Sequence, residues 1–177
     1  MNILILFDRI KNKIIQKYRE KIFYLKTGYK VNLVGEIILI NTNLKIGKNV
    51  TIYPYVQFFG DGVIEIGDNV DIGTGTIIYS SKRGGVVIGK NTLIAAQTYI
   101  IDCDHGTEKN QIIQDQENII KKIYIGEDVW LGANVSVLKG AYIENGAIIG
   151  AKSLVKGRIN KDTIAVGIPA REIKKRK

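Results

Sequence analysis

The chain has 177 residues, 45% of them hydrophobic, with two prolines and one cysteine. That is enough for one domain with a buried core, and it excludes a disordered, collagen-like or disulfide-stapled chain. The net charge of +9 is uneven: residues 1–30 carry +6, residues 171–177 carry +4, and the body between is nearly neutral, whereas nucleic-acid binders spread their bases over a folded face.

Three regions follow: a basic segment 1–30, a body 31–170 and a basic tail 171–177. The start, MNILILF, is too short for the apolar region of a signal peptide and runs at once into Asp8 and Arg9. No stretch approaches the ~18 apolar residues of a membrane span, and one cysteine suits a reducing, cytoplasmic setting. Leu6, Ile10, Ile14, Tyr18, Ile22 and Leu25 recur at helical spacing, with Arg9, Lys13, Lys17 and Lys21 among the polar positions. Such a helix has two compatible uses. It can cap the open end of a β structure, whose edge strands need covering, and this use is preferred. It can also touch an anionic membrane, peripherally.

From residue 46 a period of six appears: IGKNVT and IYPYVQ (46–57), IGDNVD and IGTGTI (66–77), IGKNTL and IAAQTY (88–99). A polar stretch at about 106–122 breaks it. Residues 125–160 then give IGEDVW, LGANVS, VLKGAY, IENGAI, IGAKSL and VKGRIN without slippage. The first position is always aliphatic (Ile125, Leu131, Val137, Ile143, Ile149, Val155), and the fifth is aliphatic or small. A helix cannot produce this period, and a sandwich of alternating strands would repeat every second residue. One hexad is a strand and a turn, unable to bury its own apolar face. Stacked hexads form a continuous core, which predicts an all-β solenoid with coils of about 18 residues. Coils fall near 46–63, 66–83, 88–105, 125–142 and 143–160.

The only histidine, His105, closes the third of these coils, just before the extruded loop. It follows Asp102, Cys103 and Asp104. Loops on a rigid scaffold concentrate functional residues. An Asp-x-Asp pair alone also suits a glycosyltransferase metal site, but no nucleotide-binding βαβ unit accompanies it. With one His and one Cys per chain, no zinc site is expected.

The stretch IGEDVWLGANVSVLKGAYIENGAIIGAKSLV, with DTIAVGIPAREIKK after it, closely resembles the C-terminal signature of hexapeptide-repeat acyltransferases. The resemblance covers about residues 46–174 and is closest to the maltose, galactoside and polysaccharide O-acetyltransferase branch. It implies a left-handed parallel β-helix, here with a short N-terminal helix and the extruded loop, assembled as a homotrimer with active sites between subunits. It also implies acetyl-CoA as donor, a saccharide acceptor in bacterial surface-polysaccharide assembly, no metal and no nucleic-acid partner. An amino-sugar nucleotide N-acetyltransferase, a serine acetyltransferase and a non-enzymatic hexapeptide scaffold or polysaccharide-binding protein are the alternatives.

The resemblance makes His105 the general base. Imidazole can take a hydroxyl proton near neutral pH and return it to a leaving thiolate. Asp102 is the preferred orienter of its ring, because neighbouring residues in extended chain point to opposite sides, with Asp104 the other candidate. Cys103 as an acyl-enzyme nucleophile is the rival, against the family's direct transfer. The donor would run past Trp130, Ala133, Ala151, Lys156 and Gly157, with Arg171 and Lys174 on its phosphates. Two departures leave the acceptor open: the familiar His-Pro is His105-Gly106, and Arg83 stands where an acceptor-binding carboxylate is expected.

Overall fold

Two or more residues of strand followed by a tight corner turn the chain by a third of a coil, so the hexad becomes a triangular spiral. The computed structural model describes residues 3–177; Met1 and Asn2 of the basic segment lie outside the described residues. Three sheets run the length of the solenoid. The first contains Asn32–Leu33, Thr51–Ile52, Asp71–Ile72, Leu93–Ile94, Trp130–Leu131, Ile148–Ile149 and Thr163–Gly167, all parallel, then the antiparallel Ala170–Lys175. The second contains Ile38–Leu39, Gln57–Gly60, Ile77–Ser80, Tyr99–Ile101, Ser136–Val137 and Leu154–Val155. The third contains Leu44–Ile46, Ile64–Ile66, Val86–Ile88, Ile123–Ile125, Tyr142–Ile143 and Arg158–Ile159.

Register makes each hexad position a column. Ile52, Ile72, Ile94, Leu131 and Ile149 pair in succession along the first sheet, and all are buried. The fifth-position residues Val129, Val135, Ala141, Ala147, Ser153 and Ile159 are buried as well. Each large aliphatic side chain removed from water contributes about 1.5–3 kcal/mol, and coil stacking is what removes it. The corners form columns too. On the edge between the third and first sheets, Asn49, Asn69 and Asn91 adopt φ of 56°, 57° and 59°. Asparagine tolerates this left-handed region, and here its side chains also stack: Asn49 Nδ2 donates to Asn69 at 3.1 Å, and Asn69 Nδ2 to Asn91 at 2.9 Å.

One coil is added upstream of those the hexads delimit. Residues 32–46 supply a strand to each sheet. Its pattern ends in a corner built on Asn41, a buried amide level with Gly60 and Ser80 in the coils that follow. Asn41 donates to the carbonyls of Phe59 (3.2 Å) and Gly62 (2.8 Å) in the next coil and accepts from the Asn43 N–H.

The ends differ from expectation. Helix Ile3–Thr27 meets the first coil through Phe23, which joins the core, and through Glu20, which accepts the N–H of Leu33 on the edge strand at 3.2 Å. Leu6, Ile10, Ile14, Tyr18, Ile22 and Leu25, the stripe expected to make the cap, are exposed instead. The basic tail is a strand: the chain reverses at Gly167-Ile168-Pro169, with a cis peptide before Pro169, and Ala170–Lys175 pairs back onto Thr163–Gly167. That covers the outer edge of the first sheet.

Candidate active site

His105 stands on the edge between the second and third sheets. Cys103–Asp104 leaves the solenoid and pairs antiparallel with Ile119–Ile120, Cys103 opposite Ile120 and Asp104 opposite Ile119. The excursion is therefore a hairpin whose two-residue base fixes His105 at its root; it spans 105–118, tighter than the 106–122 of the sequence. Gln116, nearly buried, organises the loop: its Nε2 donates to the carbonyls of Glu108 and Gln111, both at 2.9 Å, and its Oε1 accepts the Glu108 N–H at 2.8 Å. Gly106 is in place because a Cβ there would lie 2.7 Å from the Gln116 Cβ. The His105-Gly106 departure thus has a packing cause.

The orienting role expected of Asp102 does not hold within the chain. Asp102 is fully buried, with its carboxylate turned into the preceding coil. It accepts from the Ser81 N–H (2.9 Å), the Ser81 hydroxyl (2.7 Å) and the Gly85 N–H (2.7 Å). A Cβ at Gly84 would be 2.1 Å from its Oδ2, so the corner wraps the carboxylate closely. A buried carboxylate is tolerable only when donors saturate it, and here it serves as the staple that closes the corner from which the hairpin departs. The sequence carried a signal for it: SSKRGG at 80–85 interrupts the hexads one coil before the histidine. Asp104 points outward, and Lys139 Nζ reaches it at 2.9 Å from the next coil. His105 is exposed, and among the described residues its ring has no hydrogen-bond partner. Cys103 is a buried free thiol.

A cleft of about 770 Å³ opens beside the hairpin's return limb, lined by Asp61, Tyr79, Ser81, Arg83, Glu117 and Asn118 among others. Asn118 lies one residue beyond the Asp104–Ile119 pair, opposite His105. Burial raises the Tyr79 phenol above its ordinary value, with Cys103, Asp61 and Asp102 adding to it. The phenol therefore stays a hydrogen-bond donor at neutral pH. Arg83 reaches Glu117 at 3.8 Å, both side chains in solvent, so that pair contributes little.

The residues expected to hold the donor fall into two groups. Trp130, Ile148, Ile164 and Lys174 are successive partners in the first sheet, which puts Lys174 about 14 Å from Trp130. Ala133 and Ala151 stack on the edge between the first and second sheets, Lys152 N–H donating to the Ala133 carbonyl at 2.9 Å, and Arg171 pairs with Val166 near that edge. Lys156 and Gly157 lie instead on the edge of His105, two coils further on. The whole second sheet separates His105 from Ala133 and Ala151 in one chain.

A family model described as bacterial transferase hexapeptide (six repeats) matches residues 122–157. The chain is 38% identical over 143 residues to WbbJ of Escherichia coli (strain K12), named for O-acetyl transfer in lipopolysaccharide biosynthesis; the match covers 75% of this chain and 72% of that one. It is 30% identical over 176 residues to a dTDP-4-amino-4,6-dideoxy-D-glucose acyltransferase of Escherichia coli, covering 90% of this chain and 88% of that one. Among solved structures, it is similar to a variant of AntD, an N-acyltransferase from Bacillus cereus, in complex with dTDP-4-amino-4,6-dideoxyglucose and coenzyme A. There the TM-score is 0.72 at 25% identity, over 83% of this chain and 81% of that one.

Proposed function

The chain belongs to the hexapeptide-repeat acyltransferases, and we propose that it moves an acetyl group from acetyl-CoA to a sugar hydroxyl in surface-polysaccharide assembly. One observation carries the catalytic part: the only imidazole is exposed, with neither nitrogen hydrogen-bonded among the described residues, at the root of a hairpin braced from inside by Asp102 and Gln116. His105 takes the proton of the acceptor hydroxyl as its oxygen forms a bond to the thioester carbonyl carbon. The tetrahedral intermediate collapses, the C–S bond breaks, and the imidazolium returns the proton to the coenzyme thiolate. The His105 edge and the Ala133–Ala151 edge of one chain cannot meet across a sheet, so the site is completed between two copies, His105 from one and the Ala133–Ala151 edge from its neighbour. That edge suits the donor. Small residues let an extended amide-bearing arm approach the backbone, and the exposed Arg171 and Lys174 lie where its phosphates would end.

Transfer to the amine of a nucleotide-linked amino sugar is the second reading, favoured by the relative whose match spans nearly the whole chain. Free coenzyme A released with neutral sugars, polysaccharide fragments and dTDP-4-amino-4,6-dideoxyglucose separates the two. Release with hydroxyl acceptors alone supports O-acetylation. Release with the amino sugar alone replaces it by N-acylation, and turnover with none of them overturns both.

A further inference from the structure

Helix Ile3–Thr27 presents its apolar side away from the solenoid. Gln16 donates to the Asn32 side chain, Glu20 accepts from Leu33, and Phe23 enters the core, so these three define the docked side. At about 100° per residue, Phe7, Ile14, Tyr18 and Leu25 lie on the opposite side. They are 66, 64, 66 and 68% exposed. Large apolar side chains aligned in this way mark a surface that another body covers.

Spacing and charge identify that body. Through residues 7, 10, 14, 18, 22 and 25 the stripe follows the helix's own period of about 3.6, which keeps it straight along one side and suits a plane. A seam for a second helix repeats every ~3.5 residues, and after Phe7, Ile10 and Ile14 it would run through Lys17 and Lys21. The helix holds seven Lys/Arg against two acids, one of them the Glu20 committed to Leu33. Among the described residues none of those bases makes an ion pair; Lys17 borders the stripe, and Lys11 and Lys21 lie between its apolar members. Lysines so placed can lay their stems along an apolar boundary and carry their charge to a phosphate layer. No described helix is long and apolar enough to cross a membrane.

We propose that this helix lies flat on an anionic lipid bilayer, apolar stripe inward, and holds the first coil of the solenoid against the membrane. The inference stands apart from the transferase reading. Its test is co-sedimentation of the full chain with vesicles of phosphatidylglycerol and phosphatidylcholine, against phosphatidylcholine alone. The native chain is expected to bind the anionic vesicles and to release them in high salt. Lys11→Gln/Lys17→Gln/Lys21→Gln should bind on the order of 100-fold more weakly, at about fivefold per lysine. Ile14→Ser/Tyr18→Ser should bind at least about tenfold more weakly. Both variants should keep the native oligomeric mass and the native rate of coenzyme A release with a soluble acceptor. Equal binding to the two vesicle types, or none, overturns the proposal. So does an Ile14→Ser/Tyr18→Ser chain that keeps vesicle binding but falls to a smaller assembly, which would place a second copy on the stripe.

Discussion

Asp102 and His105 are three residues apart, yet one is sealed in the solenoid and the other stands in solvent, and the two positions call for opposite experimental signatures. His105→Ala removes an exposed side chain whose ring makes no hydrogen bond among the described residues, so folding should be untouched. Turnover should fall by roughly 10²–10⁴-fold, the usual contribution of general-base catalysis, read as kcat with unfolding temperature as control. Near-native kcat would end the assignment. Asp102→Ala instead strands the N–H groups of Ser81 and Gly85 in a buried corner. It should cost about 2–5 kcal/mol in chemical denaturation, with any loss of turnover following the loss of structure. A stable Asp102→Ala chain without activity would restore the orienting role that the buried carboxylate contradicts. Cys103 packs beside them as a small buried apolar group, consistent with no part in the chemistry.

At the scale of elements, the terminal strand Ala170–Lys175 has two faces to its role. It covers the edge of the first sheet. It also carries Lys174 to the end of the column that runs through Trp130, and Arg171 to a place beside Val166, near the Ala133–Ala151 edge. Removing both charges, Arg171→Gln with Lys174→Gln, should raise the KM for acetyl-CoA by about tenfold or more while kcat changes little. Contacts that far from the reacting carbonyl bind ground state and transition state alike. Added salt should then weaken donor binding in the native chain more than in the variant; an unchanged KM would place the coenzyme's phosphates elsewhere. The same strand shows what was legible in the sequence. Hexads 125–160 gave strands, corners and core column by column, because a repeat leaves each position one structural meaning. REIKKRK carries no repeat and read as a basic tail with Arg171 and Lys174 for the donor's phosphates; its pairing was not legible, because it depends on an edge that exists once the solenoid is built. The corner at Asn41 was hidden for a related reason, since its amide donates to carbonyls of the next coil. Within the site, the position of His105 was legible from where the period stops. The Asp102 staple was marked only by the SSKRGG interruption, which does not say that Ser81 and Gly85, twenty-one and seventeen residues away in sequence, bind that carboxylate.

For the whole molecule, triangular cross-section decides how a site can be assembled. His105 and the Ala133–Ala151 column occupy different edges of the prism, with the second sheet between them. Rotation within a rigid, hydrogen-bonded solenoid cannot bring them together, whereas cyclic packing of copies can place one edge of each against a different edge of its neighbour. Two inactive chains should therefore repair one another. His105→Ala lacks the base, and Ala151→Trp fills the edge along which the donor would lie while pointing its bulk away from the core. Each alone should form an assembly of native mass with little turnover. Co-expressed in equal amounts, they should regain about a quarter of native activity, because a random mixture pairs an intact His105 edge with an intact Ala151 edge at about one site in four. The measurement is kcat per site over the whole co-expressed pool of assemblies, without selection for mixed ones. Recovery requires that base and donor edge come from different copies. Mixed assemblies with no more activity than the two parents would mean that one chain supplies both, and that the separation across the second sheet is bridged by some other route.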